Sequence, residues 1–358
     1  MVYYIRFLKT PRLQKQKTGS IAASALICVT TDLGDAFLSQ DVDLLATLHL
    51  AHNEKVICQA RPQWQGGKRE LPIILGPLPA SVSQQVMIIS VTARTAGSVS
   101  SDSLRNQHNI PLVISGWSAT FGGPQLSVAD KLVERRFNVN DAVELSIWEE
   151  TGNSIARHIW DAAIASVMYL QEMIARDQSL PNSALQRLLR SERSSPLHVI
   201  ELGSGCGIVG IALADLLPRC SVLLTDLPEV EEIITKNINA AQPAPSSEIQ
   251  YRPLEWEEEL PNDLFDTPSV DLILVSDCTY NADSLPALVS VLKRLVQLSP
   301  HVIILVALKR RHESEGIFFE LMRSAGLKTL HLDRLELPSQ HDQFDEIELH
   351  CYGKNTQH

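Results

Sequence analysis

The residues best placed to do chemistry fall in one stretch, Glu201-Leu-Gly203-Ser204-Gly205-Cys-Gly207-Ile-Val-Gly210. A glycine-rich turn between a strand and a helix lets a ligand approach the backbone where a side chain would block it. The helix that follows offers unpaired N–H groups at the same place. A dinucleotide-binding turn wants glycine at its first, third and sixth positions. Counted from Gly203, the sixth is Ile208, so that fingerprint fails. Asp226 ends the next apolar run, about 20 residues on, where a carboxylate can accept hydrogen bonds from both hydroxyls of a ribose. That spacing points to an adenosine ligand without choosing among adenosine cofactors. An Asp just before Pro228 is also a good helix cap, and the two readings are compatible.

The acid, the hydrophobe and the GxGxG of Glu201 to Gly207 resemble motif I of class I methyltransferases. Three further segments narrow the likeness: Gly152-Asn-Ser-Ile-Ala-Arg-His-Ile-Trp160-Asp-Ala-Ala, Leu254-Glu-Trp256 and Ser276-Asp277-Cys-Thr-Tyr280. Together they resemble methyltransferase family 16, the non-SET, seven-strand protein lysine methyltransferases, from roughly Val139 to the C-terminus. The most specific element is the D-x-x-Y of Asp277 and Tyr280, taken with Trp-Asp-Ala-Ala. The resemblance implies S-adenosylmethionine as cofactor. Its implied contacts are Gly203, Ser204 and Gly205 against the methionine portion and Glu201 on the ammonium. Asp226 would hold the ribose, Trp160 would touch the cofactor and Trp256 would pack near the adenine. Ser276, where the family often has alanine, would line the pocket. Asp277 and Tyr280 are implied to orient the substrate amine and to shape a narrow, aromatic-walled channel. Without the resemblance, Trp160 reads as a core anchor on a helix beginning near His158.

Such a transfer is an in-line displacement at a sulfonium carbon, and the nucleophile must be a neutral amine. Free lysine has a pKa near roughly 10.4, so the site must strip a proton and a hydration shell before attack. Proximity and alignment would then supply most of the acceleration. No metal is expected, because no His/Cys cluster has zinc-ligand spacing. The resemblance thus implies a protein-lysine N-methyltransferase with an intracellular protein substrate, a translation elongation factor being the first candidate. A small-molecule methyltransferase is one alternative. A cofactor-binding scaffold without turnover is another, opposed by the intact Asp277 and Tyr280. Ile208 speaks against an oxidoreductase.

The elements that must position these residues alternate as in a parallel α/β sheet. Strands are predicted over Leu197–Leu202, Cys220–Thr225, Ile249–Arg252, Val270–Ser276 and His301–Ala307, with helices over Cys206–Leu217, Pro228–Ala240, Asp283–Leu298 and Glu313–Ala325. Two closing strands, Leu327–Leu332 and Glu346–Tyr352, have no clear helix between them. This predicts a class I methyltransferase-type, doubly wound seven-stranded sheet with a terminal antiparallel hairpin. The ordinary dinucleotide fold lacks that hairpin. Asp277 and Tyr280 then stand at the carboxyl end of the fourth strand, where open α/β sheets bind ligands. Lys309-Arg310-Arg311-His312 follows the fifth strand on the same side. A solvated loop is the favoured reading of such a charge run, and contact with an acidic substrate surface is the other.

Residues 1–131 have a different texture from residues 132–358, the expected catalytic domain. Thr92–Ser103 and Gly116–Pro124 read as loops. Val86–Val91 and Pro111–Ser115 read as strands of a small accessory region, β-rich and without a catalytic motif. Ile21–Val29 after several basic residues faintly resembles a signal peptide; being short and rich in Ala and Ser, it reads better as a buried strand. No apolar run reaches the roughly 18 residues of a membrane span.

A chain of 358 residues that is 44% hydrophobic and 20% charged can bury a sizeable core. Its net charge of −11 argues against general nucleic-acid binding, which needs a basic footprint. The 6 cysteines show no CxxC pair, which fits a reducing compartment. A soluble, cytoplasmic monomer is expected, with the nucleus as second location.

Overall fold

The computed structural model describes residues 2–16, 19–93, 101–106, 110–152, 154–175, 183–259, 261, 269–311, 315–340 and 344–354. Among these, the C-terminal part forms a seven-stranded sheet. Its spatial order is Glu248–Pro253, Cys220–Asp226, Leu197–Leu202, Leu272–Ser276, Ile303–Leu308, Phe344–Lys354 and Leu327–Pro338. The first five strands are parallel. Leu272–Ser276 and Ile303–Leu308 are almost wholly buried apolar runs, as strands covered on both faces must be. Phe344–Lys354 runs antiparallel between Ile303–Leu308 and Leu327–Pro338, so the expected hairpin is present with its second strand on the inside. Chain order reverses between Leu197–Leu202 and Leu272–Ser276, and ligands bind beyond the strand ends at such a switch point.

Helices Asp161–Ala175, Ile208–Leu216 and Glu231–Ala240 pack Ile164, Ile211 and Ile233 on one face of this sheet. Leu285–Leu298 and Gly316–Ser324 cover the other with Leu288, Leu292 and Phe318. Leu285–Leu298 repeats its buried residues every three or four positions, Leu285, Leu288, Val289 and Leu292, which is the stripe a surface helix needs. The last helix was expected from Glu313; residues 312–314 lie outside the described ones.

The N-terminal part is β-structured. One sheet runs Leu71–Leu78, Ile21–Thr30, Tyr3–Lys15 and Val113–Ile114. A second runs Glu144–Glu150, Leu132–Asn138, Gly116–Ser118, Val86–Ala93, Val42–Leu50 and Val56–Ala60, with short strands attached. Ile5, Phe7 and Ile27 of the first sheet share a core with Leu44, Leu48 and Ile89 of the second. Ile21–Thr30 is thus an interior strand of a β layer. Pairing carries the second sheet past the expected boundary at residues 131–132, because Leu132–Asn138 and Glu144–Glu150 alternate buried and less buried residues with the period of two that a strand requires.

Gly116–Pro124 is corrected from a loop to strands, Gly116–Ser118 and Phe121–Gly122, both buried. Gly116 is there for closeness: a Cβ on it would lie 2.9 Å from Val133 Cγ2 and 3.1 Å from Arg135 Nη1. Of Thr92–Ser103, residues 94–100 lie outside the described ones. The N-terminal sheets and the seven-stranded sheet share a core. Tyr4, Phe137 and Ile147 join Ile164, Met168 and Leu349 in one continuous apolar cluster.

Candidate functional site

Strand Leu197–Leu202 delivers Glu201 and then the glycine turn to the switch point. Gly203 and Gly205 have φ of 68° and 55°, a region that side chains disfavour. Space forbids a side chain at Gly203 as well: a Cβ would stand 2.5 Å from Cys278 Sγ and 3.2 Å from Trp256 Cζ2. Glu201 is 1% exposed, and its Oε2 accepts the Gly210 N–H at 2.8 Å. Burial pushes its carboxyl up to about 8; the Gly210 N–H opposes the shift and Asp226 adds to it.

Asp226 ends the neighbouring strand. Its Oδ2 accepts the Gly205 N–H at 2.7 Å, and its Oδ1 accepts the Leu227 N–H at 2.7 Å. The short 3-10 turn Pro228–Val230 starts from Leu227 without a side-chain cap, so Asp226 braces the glycine turn more than it caps a helix. Burial raises its carboxyl above the ordinary aspartate value, against the two N–H donors.

Opposite the turn, Leu272–Ser276 ends in Ser276 and Asp277. Ser276 Oγ is buried with no hydrogen-bond partner among the described residues. Asp277 adopts φ of 55°, rare for a non-glycine residue and a mark of strain at a site. Its carboxylate is 2% exposed and meets the Arg311 guanidinium twice, Nη1 to Oδ1 at 2.8 Å and Nη2 to Oδ2 at 2.7 Å. Burial raises the Asp277 carboxyl, with Arg311 opposing. Tyr280 stands more than half exposed.

Trp160 lies just ahead of helix Asp161–Ala175, partly buried, with the Arg311 guanidinium over its ring at 5.3 Å from the centroid. It does not read as a plain core anchor, because one side of it faces a cavity. That cavity has a volume of about 580 Å³, and all ten residues singled out in the sequence line it. The structure therefore brings together Trp160, Glu201, the glycine turn, Asp226, Trp256, Ser276, Asp277 and Tyr280.

The favoured reading of Lys309–His312 as a solvated loop is overturned for Lys309 and Arg311; His312 lies outside the described residues. Lys309 is 6% exposed and bonds Asp161 Oδ2 at 3.0 Å and Asp345 Oδ2 at 2.8 Å. Burial, then the charge of Asp32, pushes Asp161 up to about 7 even with Lys309 beside it. Arg311 bonds Asp32 as well as Asp277. Lys309 is buried and Arg311 largely so because Asp161, Asp32 and Asp277 are buried with them.

Four more residues extend the network into the N-terminal sheets. Tyr4 donates to Asp161 Oδ1 at 3.0 Å, and Arg6 donates to the Asp32 carbonyl at 2.6 Å. Glu149 and Arg135 form an ion pair of 2.6 Å with both side chains 0% exposed, and Glu149 also accepts the Ile159 N–H just ahead of Trp160. Sequence reasoning missed all of these. The one local signal was a charge run directly after a buried strand at the ligand end of the sheet. Among the described residues, no group of three or more His, Cys, Asp or Glu could hold a metal. No described helix is long and apolar enough to cross a membrane.

Comparison with known proteins adds the following. Residues 139–325 match the lysine methyltransferase family. A UPF0665 family protein of Schizosaccharomyces pombe is 30% identical over 327 residues, covering 88% of this chain and 91% of that one. The similarity therefore runs through the N-terminal sheets. The protein N-lysine methyltransferase METTL21A of Danio rerio is 32% identical over 188 residues, 52% of this chain and 75% of that one. EEF1A lysine methyltransferase 3 of Mus musculus is 32% identical over 183 residues, 50% of this chain and 68% of that one.

Proposed function

This chain belongs to a family of lysine methyltransferases, and from that premise we propose that it moves a methyl group from S-adenosylmethionine to a lysine of another protein. A translation elongation factor is the first candidate, since EEF1A is named in one relative. The observation that carries this reading is the single cavity that joins the acid–glycine turn to the D-x-x-Y segment.

The site suits that cofactor. Gly203 and Gly205 present bare backbone to the cavity, and Ser276 Oγ is a buried polar atom without a partner among the described residues. The Glu201 carboxyl accepts one hydrogen bond among the described residues and faces the cavity, where a cation could meet it. S-adenosylmethionine supplies a methyl group on a positively charged sulfur.

The chain's own groups do the rest. Glu201 takes the ammonium of the methionine portion, Asp226 the ribose hydroxyls, and Trp256 a flat apolar face for the adenine. Trp160 closes the cofactor side. Asp277 and Tyr280 receive the lysine, Tyr280 from the exposed mouth and Asp277 from the buried end. Apolar walls disfavour a charged amine, which lowers the lysine pKa and helps it lose its proton before attack. Asp277, held by Arg311, aligns the amine, and the proton leaves to water at the exposed mouth beside Tyr280. We also assign residues 1–131 to an accessory unit, whose second sheet continues through Glu144–Glu150, and the protein to the cytoplasm as a monomer.

The test is incubation of the purified protein with radiolabelled S-adenosylmethionine and a lysate from cells lacking the endogenous enzyme, with mass spectrometry of the labelled bands. A methylated lysine in one band is expected, formed much more slowly by Asp277→Asn while S-adenosylhomocysteine still binds. Cofactor binding with no labelled protein would turn the reading to a scaffold. Tight NAD binding without S-adenosylmethionine binding would turn it to an oxidoreductase.

A further inference from the structure

The N-terminal sheets bring the Asp32 carboxylate to Arg311, beside the Asp277 end of the cavity. Asp32 follows strand Ile21–Thr30, and its side chain is 1% exposed. Its Oδ2 accepts from Arg311 Nη2 at 2.8 Å, the same nitrogen that holds Asp277 Oδ2 at 2.7 Å. Arg311 is thus shared between a residue of the accessory unit and the strained aspartate of the cavity. Its flat face lies over Trp160. One side chain therefore touches both the substrate end and the cofactor end of the site.

The arrangement is rigid at every joint. Two parallel bonds from a guanidinium fix the plane of a carboxylate, which a lysine ammonium cannot do. Asp32 is itself fixed: Oδ1 accepts the Leu33 N–H at 2.8 Å, its carbonyl accepts from Arg6 at 2.6 Å, and Oδ2 accepts the Asp161 N–H at 3.3 Å. A pair serving the fold alone would need one carboxylate. A second buried carboxylate on the same cation costs like-charge repulsion, and that cost falls beside the cavity.

We propose that Asp32 and Arg311 are positioning residues for methyl transfer, the accessory unit lending Asp32 to hold Arg311 so that its fork aims Asp277 at the substrate amine. Neither residue acts on the reacting atoms; both act through Asp277. The inference rests on the methyl-transfer reading of the cavity, and it gives the N-terminal sheets a part in turnover.

The experiment uses the full chain as wild type, Asp32→Asn, Asp277→Asn and the double variant. Initial rates of methyl transfer from radiolabelled S-adenosylmethionine into the lysate are measured beside S-adenosylhomocysteine affinity by calorimetry. Asp32→Asn should lose about 10- to 100-fold in rate, the scale of a misplaced group, with little change in affinity. The double variant should be no slower than Asp277→Asn, since a residue acting through another adds nothing once that one is gone. Additive losses would overturn the proposal.

A crystal structure of Asp32→Asn with S-adenosylhomocysteine reads the fork directly. Arg311 should have left Asp277, and an intact fork would overturn the proposal. If wild type labels no protein, the lysine-transfer reading falls, while that crystal structure still decides the fork. Should Asp32→Asn not fold, Arg311→Lys takes its place, with the same requirement of non-additivity with Asp277→Asn.

Discussion

Cofactor binding should release a proton at neutral pH, and Glu201 should be its source. The Glu201 carboxyl sits near 8 because burial removes its hydration and one N–H repays little of it. A bound ammonium favours the ionised form, so binding must first deprotonate a group that is mostly neutral at pH 7. For a pKa of about 8 the penalty is about elevenfold in affinity at pH 7 and about a hundredfold at pH 6, each unit being worth about 1.4 kcal/mol. The ligand's own amino group stays protonated below about 7.7. Affinity for S-adenosylhomocysteine should therefore rise close to tenfold between pH 6 and 7. Calorimetry in buffers of different ionisation enthalpy measures both the affinity and the proton released. Glu201→Gln should bind more weakly and lose the dependence on pH. A flat wild-type profile, or no proton release at pH 7, would refute the assignment of Glu201 as the ammonium acceptor.

Gly203→Ala should abolish measurable cofactor binding, because its Cβ would collide with Cys278 Sγ at 2.5 Å and its φ is positive; fluorescence titration with S-adenosylhomocysteine checks it. Glu149→Gln should destabilise the fold by about 3–5 kcal/mol, since it leaves Arg135 charged and buried without its counter-ion; urea unfolding measures this. Burial alone would raise the Glu149 carboxyl, but Arg135 and then His158 hold it well below the ordinary range. Its folded value is depressed, so its stabilisation is complete above roughly pH 4.3 and fades as the pH falls further. The wild-type advantage over Glu149→Gln should shrink in the same window.

What was legible in the sequence was local. The acid and glycines of Glu201 to Gly207 are a turn whose geometry depends on its own residues, and Asp277 and Tyr280 follow a strand readable from its apolar run. Lys309 and Arg311 show the opposite case. Their partners Asp161 and Asp32 lie 148 and 279 residues earlier in the chain. No window around a charge run contains the carboxylate that will bury it. The same holds for Gly116, whose glycine looked like a loop signal and in fact lets Val133 and Arg135 close in. The hairpin was legible as two strands without an intervening helix, yet which of them would lie inside depended on register.

That register has a consequence during synthesis. Phe344–Lys354 comes after both of its neighbours in the chain and is the wedge between Ile303–Leu308 and Leu327–Pro338. Until Phe344–Lys354 has emerged from the ribosome, both flanking strands expose bare hydrogen-bonding rims. Such bare rims invite pairing with a neighbouring nascent chain. Closure of the layer therefore waits for this strand, and a chain interrupted before Phe344 would keep its adhesive flank uncovered.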